Sequence, residues 1–370
     1  MGKVESLSML NTEGGFLALK EKYNGMIEDV QKESITNLIK NKELSGEVTS
    51  GSVVAHRLVT AEPKDYGTAR ASGKGEKIEG SEITILVNDY KEFIAEIDEF
   101  DVVGTPVDDV VNRKIDDQKL SLQADLDEKF WNATVGYAEG IFTTTETSIE
   151  KQVEKLIQKV EKTKNKYIRN GVPRNRIVLV LDPETYGDLD TKINTLPSAA
   201  GSTAGQVELF HNVRVYSAIL PAGVKAIAMA LGSVAQPYYI KEMKPGQIDL
   251  SNAYGFGFFY KNKAQVVQPD LIHVYTNGTL TITSAAGAAS GKTAITLDET
   301  PYAGAKLYFK TASNVTAPAV GTAVDTDAFT VWDGKADITA TNGHKIAVVE
   351  VNPYGKITRV SNVATVVSAS

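Results

Sequence analysis

Four histidines stand at positions 56, 211, 273 and 344, and no two share the short spacing that lets one helix or hairpin offer two imidazoles to a metal. Each reads as structural or exposed, and no metal or cofactor is expected. Serine and threonine are plentiful, yet no G-x-S-x-G elbow occurs to raise a nucleophile on a strained turn. Asp182, Glu184 and Asp188 surround the end of an apolar run, where a carboxylate site could sit, but a turn-forming Asp-Pro and acids at a helix start account for them. Gly287-Ala-Ala-Ser-Gly-Lys-Thr293 has the composition of a phosphate loop but fails twice. Its first glycine is one residue too close, and the β-like run Ile295–Leu297 follows where a helix should begin. Asn132-Ala-Thr, Asn277-Gly-Thr and Asn314-Val-Thr are sequons of a kind that arise by chance, as is the match of Met1–Ser6 to the loose myristoylation pattern. Nothing here points to an enzyme.

The elements that would position any site come from composition and periodicity. A chain of 370 residues, 42% hydrophobic and 23% charged, suggests two or three soluble domains. A net charge of −7 does not advertise affinity for nucleic acid over the whole surface, and the absence of cysteine removes disulfides, thiolate nucleophiles and thiolate metal sites. Apolar runs such as Ile177–Leu181 and Val224–Leu231 are far too short to span a bilayer, and MGKVESLSML holds no signal-peptide core.

The longest uninterrupted helical pattern is Pro106–Ala133. Thr105 can cap it, Pro106 suits the first helical position, and Asp108 and Asp109 lie in the positive first turn. Val107, Val111, Ile115, Leu122, Leu126 and Phe130 form a thin apolar stripe along a rod of roughly 42 Å. Before it, residues 16–41 read as one or two helices interrupted at Gly25, either an arm for a neighbour or a cap on their own domain. Residues 44–82 read as a long hairpin with a polar, glycine-rich tip and too little apolar material for a core of its own. Ile83–Val87 and Phe93–Ile97 suggest a strand pair about Asn88–Lys91.

After the rod, a second helix is expected over Ser148–Asn170, with Thr147 and Glu150 at capping-box spacing and lysines interleaved with glutamates on a solvated face. A buried strand, the Asp182-Pro183 turn and a short helix follow within Arg174–Leu189, then a flexible stretch, Pro197–Gly205, and several short strands: an α+β arrangement. From Asn277 onward about eight short strands recur between turn signals, the pattern of a separate β-sandwich of immunoglobulin scale, with Asn342-Gly343 as a hairpin turn.

Taken in order, these pieces resemble the major capsid proteins of tailed bacteriophages, which have the Hong Kong 97 fold. Gly51-Ser-Val-Val-Ala-His-Arg57, Tyr66-Gly-Thr-Ala-Arg70 and Gly73-Lys-Gly-Glu-Lys77 are similar to that family's extended loop. Lys91–Val103 and Pro106–Ala133 resemble its peripheral-domain strand and spine helix, and 148–189, ending Asp182-Pro-Glu-Thr-Tyr-Gly-Asp-Leu189, resembles its axial domain. Gly205–Tyr275, with Gly255-Phe-Gly-Phe-Phe259 and Val266-Val-Gln-Pro-Asp270, resembles the return to the peripheral sheet. Val331-Trp-Asp-Gly-Lys335, Ile338-Thr-Ala340 and Gly343–Glu350 are similar to a β-domain that some members carry on the outer surface.

The resemblance implies an N-terminal arm at 1–43, an extended loop at 44–82, a peripheral domain with its spine helix at 83–147 and an axial domain at 148–262. A return strand at 263–276 and an immunoglobulin-like β-domain at 277–370 complete it. It further implies pentamers and hexamers of this chain in an icosahedral shell around double-stranded DNA, assembled in the host cytoplasm, with a portal and no membrane. About 40 residues of arm are too short for an internal scaffold, so a separate scaffolding protein, or none, is expected. Lys64, Tyr66, Arg70, Lys74 and Lys77 become intersubunit contacts of the loop, and Val111, Ile115, Leu122, Leu126 and Phe130 the core face of the spine. If the β-domain is an external addition, removing it should spare assembly. An encapsulin-like compartment is the alternative within the fold, and a secreted adhesin with an immunoglobulin-like module the alternative outside it.

Overall fold

The computed structural model describes residues 3–45, 51–61, 63, 65–67, 79–194, 209–249 and 251–369. They divide into two units, one made of 1–56, 82–130 and 234–265, the other of 57–81, 131–233 and 266–370.

The first unit is built around two long helices. Thr12 caps α1 (Glu13–Glu33), its hydroxyl accepting from the Gly15 amide at 3.2 Å, and α2 (Ile35–Ile39) follows. Helix α1 runs unbroken through Gly25, because buried Leu19, Tyr23, Met26 and Val30 offset the roughly 1 kcal/mol that a helical glycine costs. Helix α3 (Val107–Gly136, 30 residues) has Asp108 and Asp109 in its first turn. It starts one residue later than expected, with the Pro106 carbonyl accepting from Val110. Asp108 also accepts from the Val4 amide at 2.9 Å and meets Lys22 Nζ at 3.0 Å, so one carboxylate ties the N-terminal segment to the helix start. The N-terminal residues thus pack on their own chain: Val4, Leu10, Leu19 and Tyr23 share a core with Val111, Ile115 and Leu122. Of the two readings of 16–41, the cap on its own domain describes these contacts.

The sheet of this unit holds the main pairing surprises. Strand Tyr254–Asn262 pairs antiparallel with Asp89–Ile97 along its whole length, and on its other side with Tyr238–Glu242 and Gly246–Gln247. Its inner face carries Phe256, Phe258 and Tyr260 against the helices, with Tyr260 stacked on Phe93 at 5.6 Å. Ile83–Val87 does not pair with Phe93–Ile97: Gly80–Leu86 pairs with Ser52–Leu58. Alternation marks which face of a strand is buried but says nothing of its partner. For the same reason the strand that returns to Asp89–Ile97 is Tyr254–Asn262, placed by sequence in the axial domain, and not a strand within 263–276.

The second unit contains a sheet in the order Gly140–Phe142, Ile272–Thr276, Val224–Ala230, Ile177–Leu181, Val213–Ser217, Leu209–Phe210. All five residues of Ile177–Leu181 are buried, as expected of a central strand. Helix α4 (Ile149–Glu161) packs Val153, Leu156, Ile157 and Val160 on this sheet, and α5 (Pro183–Asn194) adds Leu189. Helix α4 stops well before the expected Asn170. The Thr163 hydroxyl bonds back to the Lys159 carbonyl at 2.9 Å, and the Asn165 side chain accepts from the Tyr167 and Ile168 amides, a turn that competes with helix.

The C-terminal strands belong to this same unit and form two sheets. The larger runs Thr279–Leu280, Ile357–Ser361, Lys345–Val351, Lys306–Ala312, Thr330–Trp332, with Ala364–Thr365 also on Lys345–Val351. The smaller runs Ile282–Ala286, Lys292–Leu297, Ile338–Thr339. Ile282, Ile295, Trp332, Ile338, Ile346 and Val348 fill the core they share. Asn342-Gly343 does not close a hairpin, since Ile338–Thr339 and Lys345–Val351 lie in different sheets; Gly343, at φ 81°, turns the chain from one to the other. Nor are these strands a free-standing module. The Tyr302 hydroxyl donates to the Ala222 carbonyl at 2.9 Å, Asn352 Nδ2 to Ala138 O at 2.9 Å, and Lys356 Nζ to Glu139 O at 3.2 Å. A Cβ on Gly136 would stand 2.0 Å from the Ala303 carbonyl, so only glycine allows this approach.

Candidate functional site: the hairpin and its anchor

Strands Ser52–Leu58 and Gly80–Leu86 form a sheet of two, with no third strand among the described residues. Two strands alone are marginally stable in water. Only Ala55 and Ile85 of this ribbon are buried, while Val54, Leu58 and Leu86 are 44%, 61% and 58% exposed. Three large apolar side chains thus stand exposed among Ser52, His56, Glu82 and Thr84, on a ribbon with both edges open among the described residues.

What holds the ribbon at its loop-side end is a cluster in the second unit. Arg57 sends Nη1 and Nη2 to the two carboxylate oxygens of Asp270 at 2.5 and 2.8 Å, the two-pronged geometry that makes guanidinium–carboxylate pairs strong. Its guanidinium lies over the Tyr167 ring at 4.1 Å. Asn165 adds a hydrogen bond to Asp270, the Thr60 hydroxyl donates to Tyr167 O at 2.6 Å, and the Tyr167 hydroxyl meets Ser81 at 3.2 Å. Burial alone would raise the Asp270 pKa, but the Arg57 bonds and charge, with Asn165, hold it below the usual carboxylate range.

Of the expected loop contacts, Tyr66 is 91% exposed, while Lys64, Arg70, Lys74 and Lys77 lie outside the described residues, as does Pro197–Gly205. On the spine, Val111, Ile115, Leu122 and Phe130 are buried, and Leu126 is partly so. The polar side of α3 is also engaged: Asp125 accepts from Lys91 and from the Tyr260 hydroxyl, and Lys129 meets Asp89 at 2.5 Å and Asp125 at 3.1 Å. Sequence reading missed Arg57 and Asp270 as a pair. They lie 213 positions apart, and no local signal joins them.

The side chains weighed for chemistry do not converge. His56 sits 3.3 Å from Glu82 on the exposed ribbon, His211 2.9 Å from Glu154, and His273 is half-buried with its pKa lowered to about 4, by desolvation first. In the Gly287–Thr293 turn the Asp337 carboxylate accepts from the Ala288 amide at 2.6 Å, where a phosphate would have to sit. Among the described residues no cluster of three or more His, Asp or Glu could hold a metal ion, and no helix is long and apolar enough to cross a membrane.

No protein-family model and no curated protein matches the chain. Among solved structures it is similar to a chain of Mycobacterium phage Che8, with 16% identity and a TM-score of 0.47 over 61% of this chain and 85% of that one. It is also similar to chains from the capsid structure of Cyanophage P-SCSP1u (12% identity, TM-score 0.49, 63% and 85% covered) and from that of Staphylococcus phage Andhra (12%, 0.46, 64% and 84%).

Proposed function

We propose that this chain is a structural protein, the major capsid protein of a tailed bacteriophage, which self-assembles into a closed shell around double-stranded DNA. The observation that carries this reading is the ribbon Ser52–Leu58/Gly80–Leu86: held at its loop-side end by Arg57 and Asp270, yet exposing Val54, Leu58 and Leu86 with no third strand beside it among the described residues. An isolated subunit gains nothing from such an element, whereas a subunit in a lattice repeats the same contact at every neighbour and sums modest energies into a stable shell. In this reading the ribbon and its tip, with Tyr66 and the expected Lys64, Arg70, Lys74 and Lys77, cover a neighbouring subunit. Pentamers and hexamers form in the host cytoplasm with a separate scaffolding protein and a portal. The net charge of −7 suits a container whose contents must later slide out.

Electron microscopy of the recombinant protein, alone and with a co-expressed scaffold, tests this directly. Uniform closed particles are expected. A persistent monomer under both conditions would overturn the reading.

A further inference from the structure

The lysines and glutamates of α4 interleave in sequence, and the fold separates some of them: Glu154 and Glu161 turn to Arg174, while Lys159 and, just past the helix end, Lys162 turn to another flank. Arg174 holds Glu154 by two bonds, at 3.1 and 2.5 Å, and Glu161 at 3.1 Å, and His211 adds a contact to Glu154 at 2.9 Å. Glu154 and Glu161 are thereby neutralised within the unit. On the other flank Lys155, Lys159 and Lys162 rise at helical spacing beside Thr143, Thr144 and Thr145, and together with Phe142 and Gln158 they line an open cleft of about 700 Å³. Lys155 has Glu146 as a partner. Lys159 and Lys162 form no ion pair among the described residues; the nearest acceptor of Lys162 Nζ is the neutral Gln158 Oε1 at 3.3 Å.

On the strand paired with Gly140–Phe142, the pKa of half-buried His273 is held down by desolvation first and then by the charges of Lys356 and Lys159, against the opposing charge of Asp270. The Thr144 hydroxyl oxygen accepts from the Glu146 amide at 3.2 Å, which leaves its proton free to donate outward.

We propose that this cleft is a docking site for the phosphodiester backbone of double-stranded DNA. Seven residues of helix place Lys155 and Lys162 about 10 Å apart. Phosphates on one strand advance about 3.4 Å each along the duplex axis, so the row faces a line of several phosphates. The openness agrees, since a polymer backbone lying on the surface needs a cleft that is not enclosed. Threonine hydroxyls and lysines are the groups that contact phosphate without reading sequence. The proposal rests on the shell reading for its biological setting, and it names the face that looks toward the enclosed genome.

Fluorescence anisotropy of the unassembled full chain with a labelled duplex of roughly 20 base pairs, titrated between about 50 and 200 mM NaCl, measures the contact. Each lysine-neutralised phosphate contributes about 0.9 to the slope of log affinity against log salt, so Lys159→Ala/Lys162→Ala should lower the slope by about 1.8 and weaken binding at least about tenfold near 0.1 M. Circular dichroism should show both proteins folded, and Lys306→Ala/Lys335→Ala, which removes equal charge from the C-terminal strands, should bind as wild type does. The proposal is overturned by a wild-type chain that shows no salt-dependent binding, by a cleft variant with wild-type slope and affinity, or by a control variant that loses as much. Microscopy of the same preparations separates the two ideas. Shells without a cleft effect would sink the site alone, and a cleft effect without shells would sink the shell reading alone.

Discussion

Glu154 shows at the scale of one residue how far neighbours decide meaning. Along the chain it is one acid in a run of mixed charge. In the fold it accepts from Arg174, Gln158 and His211, and the Arg174 bond above all lowers its pKa from the usual 4.5 to about 2, against the opposing effect of burial. A carboxyl more acidic folded than unfolded leaves the unfolded chain with more bound protons between those two values. Its stabilisation is therefore complete above about pH 4.5 and is lost as pH falls toward 2. Asp270, Asp108 and Asp125 are shifted in the same direction. Urea unfolding across this range should show wild type more stable than Glu154→Gln at pH 7 and the gap closing by about pH 2. A gap constant with pH would contradict the assignment.

At the scale of elements, α3 and the ribbon ask opposite things of the chain. The helix was legible because its start, its acids and its stripe are local, and Val111, Ile115 and Leu122 are indeed buried. Its surroundings were not legible: the thin stripe is met by α1 on one side and by a sheet whose strands, Asp89–Ile97 and Tyr254–Asn262, lie far apart in the chain. Leu122 is fully buried, so Leu122→Asp would set an unpaired carboxylate in that core and should leave no cooperatively folded subunit, as read by near-ultraviolet circular dichroism. Arg57→Ala should differ. It removes the fork on Asp270 and the stacking on Tyr167, and should cost about 3 kcal/mol in urea unfolding, since it strands a mostly buried carboxylate. The subunit should still fold but give few or no closed particles. Wild-type particle yield from Arg57→Ala would detach the ribbon from assembly.

For the whole molecule the lesson concerns the C-terminal strands. Composition marks residue 277 as a boundary, and as an external addition the β-domain should be removable. The hydrogen bonds from Tyr302 to Ala222, Asn352 to Ala138 and Lys356 to Glu139, with Ala303 pressed on Gly136, instead make it part of the second unit. It also carries its own buried charge pair, Arg359 and Glu350, 2.5 Å apart and almost fully enclosed, with Thr358 and the Tyr302 amide completing the carboxylate's partners. A chain ending at residue 276 would expose apolar surface and the freed carbonyls. It should express poorly or melt several degrees below the full chain by differential scanning calorimetry. A truncated chain with full solubility and an unchanged melting temperature would restore the view of a detachable module.

The sequence by itself determined the elements whose information is local: the spine helix, the buried strand Ile177–Leu181, the strand Ser52–Leu58, and the change to short strands after residue 277. Caps, periodicity and turn residues act within a few positions, so they can be read in one pass. Only the tertiary structure decided which strands pair, where the N-terminal helix packs, that Arg57 finds Asp270, and that Lys159 and Lys162 face a cleft while Glu154 and Glu161 face Arg174. Those outcomes depend on burial and charge compensation among residues hundreds of positions apart, and no local pattern in the chain records them.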